Sequence, residues 1–148
     1  MTKAIRLKAM DLLARREHSF QELVKKLSVH FDDSPLINDV LEKLQQQGLQ
    51  SDQRFAEMFV RSRVNKTHGP IRIKNELRQR GVSVNLVNDA LRQEGVDWMV
   101  LIEGLSIKKY GNTLPVDDRD RARRIRFFQY RGFSLDQINT VMSYTQEL

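Results

Sequence analysis

Apolar residues recur at three- and four-residue spacing along almost the whole chain, and strand-like alternation is nearly absent, which predicts helices throughout. Start and stop signals divide this pattern into segments. A first helix is predicted over about residues 4–16. Ser19-Phe20-Gln21-Glu22 has the form of a capping box, in which the Ser and Glu side chains satisfy each other's backbone amides. It opens a second helix whose apolar stripe is Phe20, Leu23, Val24 and Leu27. Ser34 ahead of Pro35 supplies an N-cap and a first-turn proline for a third helix, which ends near Gly48.

The same succession then repeats. A helix is predicted from Asp52 to Lys66, another from Gly69-Pro70 to Gly81, and a third, capped by Ser83, ending at Gly95. Asp97 begins a seventh helix that ends near Gly111. After a loop containing Leu114-Pro115, an arginine-rich helix runs from about Asp117 to Tyr130 and stops at Gly132. Ser134-Leu135-Asp136-Gln137 is a second capping-box pattern and opens the last helix, read to Leu148.

These nine helices fall into three trios that echo one another in sequence. Ile37-Asn38-Asp39-Val40-Leu41 is matched by Val87-Asn88-Asp89-Ala90-Leu91 and by Ile138-Asn139-Thr140-Val141-Met142. Leu77-Arg78-Gln79-Arg80-Gly81 is matched by Phe128-Gln129-Tyr130-Arg131-Gly132, again at a period of about 50 residues. A trio of this size buries its stripes poorly alone, so neighbouring trios are expected to stack. The expected fold is all-α, an elongated tandem array of three three-helix units over residues 1–50, 51–96 and 97–148.

Composition narrows what such an array can do. Hydrophobic residues make up 40% of the 148 and charged residues 30%, which suits a helical array better than a sphere with a deep catalytic cavity. The chain has no cysteine, removing disulfides, thiolate metal sites and thiol nucleophiles together. His18, His30 and His68 have no partner at metal-ligand spacing, and the carboxylates lie mostly in caps or beside basic residues. No Gly-rich loop leads into Lys-Ser or Lys-Thr, so a phosphate cradle is missing. Neither a cofactor, a metal nor an enzymatic activity is expected. The residues after Met1 do not read as a signal peptide, and no stretch approaches the roughly 20 apolar residues of a membrane span, so a soluble, cytoplasmic chain without membrane contact is expected.

The net charge of +6 is unevenly placed. From Arg54 to Arg131 there are 17 Lys and Arg against 9 Asp and Glu, whereas the rest of the chain holds 8 basic and 10 acidic residues. The densest stretch, Arg119 to Arg131, has six arginines and one acid. On a helix, Ala122, Ile125 and Phe128 share one side, and Arg119, Arg123, Arg126 and Tyr130 share the opposite one, with Phe127 beside them. Arg121, Arg124 and Arg131 complete the cluster. Rings interleaved with guanidinium groups suit a nucleic-acid strand. They suit an acidic protein groove equally well, because Arg forms bidentate bonds to carboxylates. A plain solvated helix face, with Phe127 packed on a neighbouring unit, is the third reading. Lys74 and Arg78, one turn apart beside the core pair Ile73 and Leu77, form a second and weaker basic feature. Gly69, next to Lys66 and His68, would let a partner's backbone approach closely.

Several of these segments together resemble the RecX family of bacterial regulatory proteins, over nearly the whole chain. The most specific is Gly69-Pro70-Ile71-Arg72-Ile73-Lys74-Asn75-Glu76-Leu77-Arg78-Gln79-Arg80-Gly81. Leu13-Ala14-Arg15-Arg16-Glu17-His18-Ser19 with Glu22-Leu23, the Gly48-Leu49 and Asp52, Arg54-Phe55-Ala56 positions, and Arg124 to Phe133 resemble other parts of the family pattern. Gln50-Ser51 departs from it where the family often has Asn or Asp, although a helix cap is still available there. The resemblance implies three tandem three-helix units that bind the RecA recombinase. It further implies occupancy of the groove of the RecA–single-stranded DNA filament, which modulates filament extension, ATP hydrolysis and strand exchange in recombinational DNA repair and the SOS response. It leaves the sign of the effect open.

On this reading Lys74, Arg78, Arg119, Arg121, Arg123, Arg124, Arg126, Phe127, Tyr130 and Arg131 carry the attachment to RecA or to single- or double-stranded DNA, and the chain acts as a monomer. The competing class is a direct, non-specific DNA binder. A helix-turn-helix reading of the pairs joined at Gly81 or Gly132 is disfavoured, because Leu86, Val87, Leu91 and Gln93 offer little to read base edges and 135–148 has no basic residue. A purely structural helical adaptor would bind neither partner.

Overall fold

The structure, a computed structural model, describes residues 1–143. The part of the last predicted helix beyond Ser143 lies outside the described residues. Within them the chain is helical and forms no strand: α1 (Thr2–Arg15), α2 (Phe20–Ser28), α3 (Ser34–Gln46), α4 (Asp52–Asn65), α5 (Pro70–Gln79), α6 (Val84–Glu94), α7 (Trp98–Tyr110), α8 (Asp118–Arg131) and α9 (Leu135–Met142). No helix among the described residues is long and apolar enough to cross a membrane.

The caps explain most of these boundaries. Both capping boxes form: the Ser19 hydroxyl accepts from the Glu22 amide, the Ser134 hydroxyl accepts from the Gln137 amide, and Glu22 and Gln137 reciprocate. Ser51 Oγ accepts from the Arg54 amide at 3.1 Å, so the Gln50-Ser51 departure still starts α4. One expectation is corrected: Asp33, not Ser34, caps α3, its carboxylate accepting from the Leu36 amide at 3.1 Å. An acid at that place also answers the positive end of the helix dipole, and Pro35 is tolerated anywhere in the first turn.

Packing gathers the chain into two compact units, each drawn from two stretches: Met1–Phe59 with Leu77–Gln93, and Val60–Glu76 with Glu94–Leu148. In the first, α1, α2 and α3 pack mutually around Ile5, Ala9, Leu12, Leu23, Leu27, Ile37, Val40, Leu41 and Leu44. In the second, α9 packs on α7 and α8 around Ile102, Leu105, Phe128, Phe133, Ile138 and Val141.

Each unit also contains the same junction. In the first, Gly81 (φ 81°) ends a helix hard against the side chain of Gln21, and the Ser19 hydroxyl donates to the Arg80 carbonyl at 2.8 Å. In the second, Gly132 (φ 101°) meets Arg72, each partner displaced by the same 51 positions (21 to 72, 81 to 132). There the Gly69 amide donates to the Arg131 carbonyl at 2.7 Å and the Ile71 amide to the Gly132 carbonyl at 3.0 Å. The backbone that approaches Gly69 is therefore the chain's own. Its place is taken by internal packing rather than left open to a partner.

Candidate partner-binding surface

The arginine-rich helix α8 is well defined at both ends. Asp117 Oδ1 accepts from the Asp120 amide at 2.8 Å, and Asp118 and Asp120 place negative charge in the first turn, where the helix dipole favours it. At the other end Gly132 is left-handed, its amide donates to the Phe128 and Gln129 carbonyls, and the Phe133 amide reaches back to Phe128 at 3.1 Å. That wrap is a Schellman-type stop, with the buried Phe133 as its apolar anchor.

The ten residues expected to carry binding separate into three groups. Arg119, Arg123 and Arg126 are exposed and form no ion pair with any described residue. Tyr130, 75% exposed, stands on the same side of the helix, with the Arg72 guanidinium 5.1 Å from its ring centroid. Arg121 is exposed and donates to Asn139 Oδ1 at 3.2 Å. Lys74 is exposed in the same unit, whereas Arg78, also exposed, belongs to the other one.

Arg124 is different. Only 6% exposed, it donates to the Thr113 carbonyl at 2.9 Å, to Thr113 Oγ1 at 3.2 Å and to Asp120 Oδ2 at 3.2 Å, and its guanidinium lies 4.4 Å from the Tyr110 ring centroid. Asp120 in turn accepts from the Val116 amide at 3.1 Å. The pair thus fixes the 111–117 loop, and Arg124 is not part of the accessible basic face. Its spacing gave the signal: one turn before the core residue Phe128, it projects toward the buried side.

Phe127 is half-buried. It meets Tyr110 edge-on at 5.8 Å and carries two cations, Lys109 at 5.2 Å and Arg131 at 5.3 Å from the ring centroid. Arg131 is further held by the Lys66 carbonyl at 3.1 Å and by Thr67 Oγ1. Lys109 did not stand out in the sequence, because a lysine at a helix C-terminus is an ordinary dipole partner. Glu76 sits among Arg63 (3.4 Å) and Arg72 (3.0 Å). Burial alone would raise its carboxyl, but the hydrogen bond from Arg72 and the charge of Arg63 outweigh that and hold it below the usual carboxylate range.

Residues 51–91 match the family description "RecX, second three-helix domain", and residues 101–142 match "RecX, third three-helix domain". A regulatory protein RecX from Pseudomonas savastanoi pv. phaseolicola (strain 1448A / Race 6) is 44% identical over 140 residues, covering 95% of this chain and 90% of that protein. One from Halorhodospira halophila (strain DSM 244 / SL1) is 40% identical over 146 residues, covering 99% and 91%. The crystal structure of RecX from Lactobacillus salivarius shares the fold with a TM-score of 0.72 at 24% identity, covering 95% of this chain and 93% of that one.

Proposed function

The chain belongs to the RecX family of regulatory proteins, and on that premise we propose that it regulates the RecA recombinase by lying in the groove of the RecA–single-stranded DNA filament. It acts there by occupancy, not by catalysis, and so inhibits or modulates filament extension, ATP hydrolysis and strand exchange. The observation that carries this reading is the set Arg119, Arg123 and Arg126, three exposed guanidinium groups on one helix face with no ion pair to a described residue. Acidic side chains of a protein groove satisfy such groups bidentately. Arg121, Tyr130, Phe127, Arg131 and Lys74 border that face as its secondary contacts, Arg124 supports it from beneath, and Arg78 makes a separate basic contact from the first unit.

The test is RecA ATPase on single-stranded DNA with this protein at substoichiometric amounts, with its own DNA binding followed at the same salt. Loss of ATPase where the protein alone barely binds DNA supports action on the filament. Loss only when the protein saturates the strand, with a steep salt dependence, would replace this reading with direct DNA binding. Reversing Arg123 and Arg126 to Glu weakens filament binding while helicity is unchanged. Unaltered affinity would remove the arginine face from the mechanism.

A further inference from the structure

Beside the arginine face, α7, the end of α8 and the Thr67 and Val96 positions line an open groove of about 540 Å³. Its floor is Leu101, Leu105 and Phe127, and its wall is Val100, 63% exposed. Gly104 lies midway along that wall, inside α7 and exposed, and a β-carbon there would meet nothing within 4 Å. Glycine within a helix is destabilising relative to alanine. The fold gains nothing from it here, since no neighbour needs the space. The glycine leaves the α7 backbone at this point open to close approach from the groove.

The charges around the groove indicate the kind of partner it suits. Along α7, Lys108 and Lys109 stand at the C-terminal end of the groove and Asp97 at the N-terminal end, capping α7 through the Met99 and Val100 amides, while Arg131 shares the Phe127 ring with Lys109. The Arg131 side chain is held at the rim by Thr67, a β-branched residue in the left-handed region (φ 60°), a conformation unfavourable enough to mark a constrained site. A nucleic-acid strand suits the groove poorly: its walls are mainly aliphatic, and Asp97 opposes a phosphate.

We propose that this groove, resting on the filament-binding reading above, is the site at which the chain captures an apolar protein segment ending in carboxylates, contributed by the recombinase. Aliphatic or aromatic side chains fill the space above Leu101 and Gly104, and one or two acidic groups meet Lys108, Lys109 and Arg131. The arginine face supplies charge that DNA and protein share, and the groove supplies the contact that only a protein can make.

The experiment uses the full chain and RecA assembled on a single-stranded oligonucleotide, with the naked oligonucleotide alongside. Gly104→Trp fills the groove and Val100→Glu places a charge in it. Each weakens filament binding by about tenfold, the loss of one buried anchor, and leaves oligonucleotide binding and helicity unchanged. Because the chain has no cysteine, Val100→Cys is a unique attachment point for a benzophenone cross-linker. Cross-links on the filament map to a RecA segment with apolar and acidic residues. Unchanged filament binding in both groove variants overturns the inference, and if Arg123→Glu with Arg126→Glu still weakens binding, the function reading stands without it. Parallel loss of oligonucleotide binding assigns the groove to nucleic acid and overturns it. A wild-type dimer that Gly104→Trp dissociates, with filament binding intact, assigns it to a second copy and overturns it as well.

Discussion

The Gly69 amide lies 2.7 Å from the Arg131 carbonyl, and a β-carbon on Gly69 would collide with the backbone of Gly132. The start of α5 and the end of α8 are thus joined backbone to backbone, with no side chain able to yield. Gly69→Ala is expected to lower stability by about 1–3 kcal/mol, the usual range for overpacking, in urea unfolding. Gly48→Ala, at a positive φ but in open space, is expected to cost only the roughly 1 kcal/mol of a β-carbon in the left-handed region. Equal losses at the two positions would mean that the second unit does not depend on this junction.

Gly104→Ala carries the opposite sign. The added methyl meets nothing, and alanine is the better helix former by about 1 kcal/mol, so the thermal midpoint rises. A lower midpoint would show that the glycine serves the fold itself.

Arg124 and Arg123 are adjacent in sequence, yet their replacement has different consequences. Arg124→Ala removes a buried guanidinium, its donors to the Thr113 carbonyl and the Asp120 carboxylate and its packing on the Tyr110 ring, and about 1–3 kcal/mol of stability is lost. Arg124→Lys recovers only part of this, because an ammonium cannot reproduce the fork. Arg123→Ala changes stability by less than about 0.5 kcal/mol and is felt in binding. Urea titrations of the three variants decide it, and a silent Arg124→Ala would refute the bracing role.

Stability also falls as the solution is acidified, in two windows. The His18 ring has Nδ1 3.0 Å from the Arg16 carbonyl and Nε2 2.9 Å from Lys26 Nζ, an arrangement suited to a neutral imidazole donating at Nδ1 and accepting at Nε2. Burial first, then the Arg16 and Lys26 charges, hold it below the ordinary value against the opposing Arg16 carbonyl bond and the Glu22 charge. Burial and the Arg72 charge do the same for His68 against the pull of Glu76. A lowered folded-state pKa means that the unfolded chain binds more protons, so this contribution is complete above about pH 6.5 and is lost as pH falls toward the folded value. At Glu22 burial alone would raise the carboxyl, but the Arg16 and Ser19 bonds outweigh it, and Glu76 is lowered likewise. Their contribution is lost below about pH 4.5. The urea midpoint measured across both windows should fall in each, and substitution of both histidines by Gln should flatten the upper one. A midpoint constant down to about pH 5 would contradict the histidine assignment.

Local signals carried the helix order far. Ser19 with Glu22 and Ser134 with Gln137 cap the helices their spacing announces, and the glycines read as stops at 48, 81, 95, 111 and 132 all have positive φ. What spacing could not supply was the partner of a group distant in sequence. Gly69 looked open to a visitor because nothing nearby points to Gly132, and Arg124 joined the basic cluster because Thr113 and Tyr110 meet it only after folding. The groove did leave a trace. Trp98-Met99-Val100-Leu101-Ile102 is apolar on every side of a helix, so one side had to be covered by something, and Val100 remains uncovered.

Because each compact unit takes residues from both sides of its neighbour's segment, order of synthesis matters. When Phe59 leaves the ribosome, the first unit still lacks Leu77–Gln93, and Val60–Glu76 must emerge before those residues do. That intervening stretch, with Val60 and Ile73 destined for burial, waits in water until the chain from Glu94 onward follows it out. A pause in translation within this interval would expose it to chaperones and proteases, and a cut there after folding would take material from both units at once.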